Sequence, residues 1–423
     1  MKRTVEEVLE FVEENDVKFI RLAFCDLLGK QKNISITAGE LPRAFEEGIR
    51  FDAWGIDGFW DGEHSDLLVV PEPDTLCVLP WRPQQSSVVR LYCTIRYPDG
   101  TPFICDGRTI LQNSIESLKS YGYACQIGTE CEFYLLKTDE NGHPTKEPLD
   151  LGSYFDVAPL DKGENIRREI CLCLEEMGLH PETSNHEQGP GQNKIDFKFS
   201  DTLTSADNFL TFKNVVSSIA ARNGLAASFL PKPFANESGN GLHMHISLVS
   251  NNILAPKSEE QRQKDVDAFI AGIMNRIREI TMFLNTTSNS YERLGTFEAP
   301  KYVSWSKQNR AQLISIPASR QERLRFELRS PDPSLNPYIA FALIIAAGME
   351  GIKKGLELSP ETQDNLIREE KTEALNLEKL PATLKEAAAI AFGSDFVKEI
   401  IGEQGLKQYI LIAKREWERT SSN

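Results

Sequence analysis

Three short runs of this chain alternate charged and apolar residues with a period of two, and that pattern constrains the fold more than any other feature. They are GTECEFYLL, with Glu130 and Glu132, GLHMHISL, with His243 and His245, and RLRFELRSPDP, with Arg325, Glu327 and Arg329. A fourth run, KIDFKF, carries Asp196 and Lys198. In an extended strand, residues i and i+2 point to the same side about 6–7 Å apart. Each run therefore aims its functional groups into one space. One such pair alone describes any half-exposed strand. Two histidines flanking Met244 in a glycine-rich segment fit that description badly, because histidine is an uncommon surface filler.

The surrounding text reads as an α+β chain of two domains. Thr4 followed by Glu7 is a capping box, and Val5, Leu9, Phe11 and Val12 supply the apolar stripe of a first helix. From Lys18 to about Tyr97 the chain is β-rich, divided by Gly, Pro and Asp turn signals. YPDGTPFICDGR makes the junction, which predicts a small domain over residues 1–102 and a larger one over 103–423. The segment from LELSPETQDN to NLEKLPATL reads as exposed loop before a final helical region.

Composition excludes several classes of function. A net charge of −15 opposes a nucleic-acid partner, since phosphate backbones bind clustered Lys and Arg. No apolar run approaches the roughly 18 residues needed to cross a bilayer. The opening MKRTVEEVLEFVEEN lacks the uncharged apolar stretch of a secretory signal. Eight cysteines without a CxxC pair suit reduced thiols in a cytoplasmic protein. The CLC at 171–173 lies in a helical pattern, where residues two apart diverge, so it is read as helix packing.

Three carboxylates and a histidine drawn from separate segments suit a hard divalent cation, Mg2+ or Mn2+, better than zinc or copper. Arg293, Arg310, Arg325 and Arg329 follow close together, and planar guanidinium groups bind phosphate and carboxylate. Metal-binding carboxylates beside arginines describe phosphoryl transfer from a nucleotide to a carboxylate substrate. Neither a GxxxxGK[ST] loop nor a GxGxxG turn after a strand is present, so ATP must bind by another architecture.

Six motifs in order then resemble the glutamine synthetase family, bacterial type I: GTECEFYL, NHEQGPGQNKIDF, FLPKPFANESGNGLHMHIS, NSYERLGTFEAP, NRAQLISIP and RFELRSPDPSLNPYIAFALIIAAGMEGI. RLAFCDLLGKQKNISI and RFDAWGIDGF, with SDLLVVPEPDTLCVLPW, resemble that family's β-grasp domain. The resemblance implies an N-terminal β-grasp-like domain followed by a glutamine synthetase/guanido kinase-like catalytic domain. It implies an ATP-dependent ligase joining glutamate to ammonia or an amine through γ-glutamyl phosphate, assembled as a dodecamer of two hexameric rings with sites between adjacent subunits. By motif, Glu130, His243 and Glu327 would hold the metal on the ATP phosphates, and Glu132 and Glu187 would be ligands of a second metal beside glutamate. Arg293 and Arg329 would bind glutamate carboxylates and Gly239 would sit near its amino end. Arg310 and Arg325 would stabilise the transferred phosphoryl group. Glu298 would shield the acyl phosphate and take a proton from the nitrogen, with Asp52 of a neighbouring subunit helping to deprotonate it.

The chain departs from that family pattern at several positions. Lys194 stands where the family has a third glutamate ligand of the substrate-side metal, and Ser315 where it has a phosphate-binding arginine. Ser238 replaces an asparagine, and Ala53, Trp54 and Gly55 replace Gly-Ser-Ser in the ammonium pocket. Glu378 replaces the tyrosine that is adenylylated in some relatives, so that regulation is absent. Between Glu132 and Glu187, a lysine ammonium carries the same net charge as a glutamate plus Mg2+, so Lys194 is expected to replace that metal within reach of one of those two carboxylates. The alternative expectation is a catalytically impaired homologue with a binding or regulatory role.

Overall fold

The computed structural model describes residues 3–59, 65–81, 87–250, 258–307, 309–317, 325–363, 366 and 376–421. The chain opens with helix α1, Val5–Glu14. The Thr4 hydroxyl accepts from the Glu7 N–H at 3.2 Å while the Glu7 carboxylate accepts from the Thr4 N–H at 2.8 Å, so two of the helix's unpaired donors are satisfied reciprocally. Val8 and Val12 bury the apolar stripe.

Five strands follow: β1 (Phe19–Cys25), β2 (Gln31–Thr37), β3 (Ile49–Asp52), β4 (Asp66–Pro71) and β5 (Val88–Arg96). They form a sheet in the order β2-β1-β5-β4-β3, with the short strand Cys77–Val78 also on β5. β1 and β5 run parallel, Phe19 opposite Val88, and the other pairs are antiparallel. Residues 97–106 then lead to α2, Gly107–Ser120, whose first turn is capped by the Asp106 carboxylate.

The larger sheet has ten strands among the described residues. Its continuous path is built from β6 (Tyr123–Thr138), β7 (Pro181–His186), β8 (Gln192–Phe197), β9 (Leu242–Ser250), β10 (Trp305–Ser306), β11 (Ile314–Ser315) and β12 (Arg325–Leu328). Their order is β10-β11-β12-β9-β6-β8-β7. Period-two alternation divides the two faces. Cys131, Ile195, Met244, Phe326 and Leu328 are buried in the core, where α2 and α3 (Thr202–Arg222) pack on β6. Behind them α4 (Glu259–Leu284) lies against α5 (Pro337–Lys354). That contact requires glycine, since a Cβ on Gly272 would meet the Ala347 oxygen at 2.2 Å and one on Gly351 the Ala268 oxygen at 2.0 Å.

Buried polar bonds lock the small sheet to the large domain. Arg90 on β5 donates to the Thr211 hydroxyl at 2.6 Å and Tyr92 to the Asp207 carbonyl at 3.1 Å, both on α3. Within the large domain the same α3 residue is fixed in turn, since Arg108 pairs with the Asp207 carboxylate at 2.9 Å and Tyr338 donates to it at 2.6 Å. Such bonds matter because a buried polar group left unpaired costs about 1–3 kcal/mol.

One expectation changes and one holds where it is described. KIDFKF does not aim a pair: the ladder shifts register between Asp196 and Phe197 and Lys198 lies beyond the end of β8, so only Asp196 faces the functional side. Of the loop predicted before the last helices, residues 356–363, 366 and 376–383 carry no helix, and the rest lies outside the described residues. The final region is helical as expected, ending in α6, Glu403–Ser421. No described helix is long and apolar enough to cross a membrane.

Candidate active site

Strand register assembles the charged face of the large sheet. His243 on β9 and Asp196 on β8 both lie opposite Glu130 on β6, while Lys194 lies opposite Glu132. His245 lies opposite Glu327 on β12, which in turn faces Ser315 on β11. The four alternating runs thus converge from four adjacent strands.

On one side of this floor, His243 Nδ1 is 3.5 Å from Glu130 Oε1 and 3.4 Å from Glu327 Oε1. That nitrogen is buried without a hydrogen-bond partner. Burial, then the charge of Arg329, holds the His243 pKa down at about 4, so the ring is neutral at pH 7. A neutral imidazole nitrogen orphaned between two carboxylates is a donor set that fits one hard divalent ion. Arg329 pairs with the same Glu327 carboxylate. His245 Nε2 lies 3.0 Å from Glu130 Oε2, and Glu130, His245 and Glu327 present ligand atoms within 4.8 Å of one another.

The other side is built differently. Glu132 Oε2 accepts from the Gly241 N–H at 2.7 Å, and burial together with the charge of Glu187 pushes the Glu132 pKa up to about 8. Burial also raises Glu187. Lys194 does not sit between these two carboxylates. Its ammonium is 2.6 Å from Glu130 Oε1, 3.6 Å from Glu187 Oε1 and 3.9 Å from Asp196 Oδ1. The expected reach to one of the two carboxylates holds for Glu187 at 3.6 Å, but the place between the pair is corrected: the lysine leans one row along β6, where Glu130 is its nearest partner, and a proton takes its place on Glu132. Burial opposes ionisation of Glu130, but His243, His245 and Lys194 hold it well below the usual carboxylate range.

A buried support lies beneath Glu187. His186 directs Nδ1 at the Glu187 carbonyl, 2.7 Å away, and Nε2 at Asp150 Oδ1, 2.9 Å away. Burial works against protonation of His186, but Asp150 raises its pKa, which suits a ring donating from both nitrogens. Arg167 grips Asp161 through both terminal nitrogens and reaches Asn193 Oδ1 at 2.5 Å, fixing the residue next to Lys194.

A cavity opens above the floor, bounded by Glu132, Glu187, Gly239, Arg293, Glu298 and Arg329. Buried Arg293 donates to the Ser330 carbonyl at 2.9 Å and the Arg329 carbonyl at 3.2 Å. Gly239 admits no side chain, because a Cβ there would lie 2.4 Å from the Pro231 oxygen. Glu298, in the loop after Arg293, reaches over the cavity, 3.5 Å from Arg329 Nη2 and 3.3 Å from Gln188 Nε2. Ser238 contributes its carbonyl, which accepts from the Tyr134 hydroxyl at 2.6 Å.

Other expected residues stand further out. Arg325 is half-buried at the start of β12, and Arg310 is exposed on a turn. Asp52 lies exposed at the end of β3, where its carboxylate accepts from the Trp54 N–H at 2.9 Å, and neither it, Trp54 nor Gly55 lines the cavity. A larger cavity of about 760 Å³ lies between residues 28–31, α3 and α6 and includes none of the expected site residues.

The structure keeps His245 and Asp196 on the charged face and adds the Asp150–His186 pair beneath it. His245 and Asp196 were signalled by their spacing of two from His243 and Lys194. Tyr154 stacks on Phe155 with ring centroids 4.0 Å apart. Its ring is exposed and lies outside the cavity lining. Asp150 and His186 are far apart in sequence, and no spacing announces them.

Residues 16–98 match the family model for the glutamine synthetase β-grasp domain, and residues 104–423 the model for the glutamine synthetase catalytic domain. A glutamine synthetase of Methanosarcina mazei is 44% identical over 421 residues, covering 98% of this chain and 94% of that protein. One from Clostridium saccharobutylicum is 43% identical, covering 99% and 96%. Among solved structures, a GmaS–ADP complex superposes with a TM-score of 0.88 at 27% identity, over 98% of this chain and 96% of that one. The Plasmodium falciparum glutamine synthetase, also at 0.88 but 24% identical, covers 100% of this chain and 98% of its own and shares the fold.

Proposed function

Because the chain belongs to the glutamine synthetase family, we propose that it is an ATP-dependent ligase that forms a γ-glutamyl amide through γ-glutamyl phosphate, from glutamate and ammonia or an amine. One observation carries this reading: His243, whose Nδ1 is buried and orphaned between Glu130 and Glu327, lines the same cavity as Arg293, Arg329 and Glu298. Glu130, His243 and Glu327, with His245 alongside, would hold one Mg2+ or Mn2+, which when bound neutralises charge developing on the transferred phosphoryl group.

The remaining roles fall to the chain's own side chains. Arg293 and Arg329 bind glutamate carboxylates above the floor, with Gly239 leaving room for the amino end. Arg310 and Arg325 balance phosphoryl charge at the rim. The γ-carboxylate attacks the terminal phosphorus of ATP, a P–O bond forms as ADP leaves, and the nitrogen then displaces phosphate from the acyl carbon. Glu298 reaches over the cavity, where it excludes water and accepts the proton the nitrogen loses. Asp52 would serve a neighbouring subunit's site, since it does not line the cavity of its own chain. That arrangement calls for a ring assembly, taken here as a dodecamer of two hexamers.

Trp54 and Gly55 bear on the nitrogen donor. Without the two serine hydroxyls the pocket loses hydrogen bonds for ammonium, while an indole face attracts an alkylammonium by about 0.5–2 kcal/mol. The test is to incubate the assembled protein with ATP, glutamate, Mg2+ or Mn2+ and either ammonia or a panel of primary amines, following ADP release and product mass. At least one amine should show a higher kcat/KM than ammonia, and Trp54→Ser with Gly55→Ser should move preference toward ammonia. If ammonia outperforms every amine, the product is glutamine. Absence of ADP release with every nitrogen donor would make the chain the impaired homologue.

A further inference from the structure

Lys194 is an unusual occupant of an acidic floor because three carboxylates lie around one ammonium at graded distances: Glu130 at 2.6 Å, Glu187 at 3.6 Å and Asp196 at 3.9 Å. The nearest of the three is the one that also flanks the orphaned His243 nitrogen. Lys194 and a divalent ion at His243 therefore draw on the same oxygen, Glu130 Oε1. The two cations cannot both hold it at contact distance, since like charges a few ångströms apart in a half-buried site repel strongly.

The other two carboxylates provide somewhere for the ammonium to go. Asp196 Oδ1 is buried and has no hydrogen-bond partner, so a donor is missing there. Glu187 Oε1 accepts from Asn185 Nδ2 at 3.2 Å and lies 3.6 Å from the ammonium. A shift of about 1 Å at the end of a four-carbon stem, well within a lysine's torsional freedom, brings the ammonium from Glu130 to contact distance of either one. The backbone need not move, and Arg167 holds the neighbouring Asn193 in place.

We propose that Lys194 is a two-position counter-ion: its ammonium holds Glu130 until a divalent ion arriving with nucleotide phosphates takes that carboxylate, and then passes to Glu187 and Asp196. Its consequence is obligatory coupling between metal and nucleotide. A divalent ion alone adds positive charge to a cluster that Lys194 and Arg329 already neutralise, whereas the phosphates of a nucleotide supply the compensating negative charge. The inference rests on Glu130, His243 and Glu327 being the ligands of the nucleotide's metal, as proposed above. Lys194 acts through Glu130 and is in that sense a positioning residue.

The test reads Mn2+ binding, not turnover, by titration calorimetry and by the electron paramagnetic resonance of free Mn2+, on the assembled protein with and without saturating ADP. Wild type should bind Mn2+ at least about ten-fold more tightly with ADP than without it. Lys194→Gln should bind Mn2+ alone about ten-fold more tightly than wild type, and the ADP effect should shrink accordingly. Asp196→Asn keeps the lysine but removes part of its destination, so it should weaken Mn2+ in the ADP complex several-fold, and this arm stands even where Lys194→Gln fails to assemble. If wild type binds Mn2+ equally with and without ADP, or if Lys194→Gln folds and changes nothing, the counter-ion role is overturned while the ligase reading stands. If wild type binds no Mn2+ under either condition, the ligand assignment fails and takes the ligase reading with it.

Discussion

Glu130 and Glu132 stand two residues apart on one strand, face the same side and are both half-buried, yet they carry opposite charge states at neutral pH. Glu130 has a lysine ammonium and two imidazoles around it and stays ionised well below the usual range. Glu132 has one backbone N–H against the charge of Glu187 and keeps its proton up to about pH 8. The strand fixes where a carboxylate points, but its charge is decided by which neighbour leans toward it. The Glu130 half of the floor thus keeps its charge and answers it with a cation that can be exchanged, whereas the Glu132 half has settled its charge with a proton.

The largest expected effect separates these halves by activity. His243→Ala should lower kcat/KM by about 10³-fold, since losing charge stabilisation at phosphoryl transfer costs several kcal/mol, whereas Glu132→Gln should cost about ten-fold or less because it replaces a carboxyl already neutral. Steady-state kinetics with ATP and glutamate reads both, and equal losses would break the distinction.

The next effect is on folding. Lys194→Met strands Glu130 beside Glu187 and Asp196, and removing one partner of a buried ion pair costs about 3–5 kcal/mol. Denaturant unfolding should show that loss, and adding Glu130→Gln should recover part of it, as expected for residues in contact. A Lys194→Met chain as stable as wild type would mean the ammonium is not what neutralises the cluster.

A smaller effect depends on pH. In the folded chain Glu132 keeps its proton to about pH 8, while an unfolded glutamate releases it near about 4.3. Between those values the folded state binds more protons than the unfolded one, so this group makes stability fall as pH rises. Glu132→Gln removes that dependence, so its stability relative to wild type should grow from pH 5 to pH 8, by at most about 1.4 kcal/mol per unit. A difference independent of pH would show that Glu132 is ionised throughout.

The smallest effect supplies the control for burial. Arg278 and Glu378 make a contact of 2.8 Å, close to the 2.6 Å of Lys194 and Glu130, but their side chains are 34% and 58% exposed against 13% and 15%. Glu378→Ala should therefore change stability by no more than about 0.5–1 kcal/mol, measured in the same unfolding series. A cost equal to that of Lys194→Met would remove burial as the reason the two pairs differ.

Much of this was legible from residues alone, and the exceptions have a common cause. Spacing of two placed Glu130, Glu132, His243, His245 and Glu327 on one face, because side-chain direction in a strand repeats every second residue. The same rule failed for Lys198, since a bulge after Asp196 breaks the repeat. Asp150 and His186 carry no pattern, because a buried pair between a loop and a strand is joined only by the folded chain.

The sequence by itself determined the two-domain α+β organisation, the family and the convergence of carboxylates and histidines on one sheet face, because these follow from alternation, turn signals and motif order. Tertiary structure alone decided what Lys194 does there. Register sets it opposite Glu132, and charge counting assigned it to Glu132 and Glu187. The Glu132 carboxylate, however, is turned to the Gly241 N–H and the ammonium lies on Glu130. That choice is made over about 1 Å at the end of a flexible side chain, by burial and by neighbours from four strands, and no one-dimensional pattern records distances of that kind.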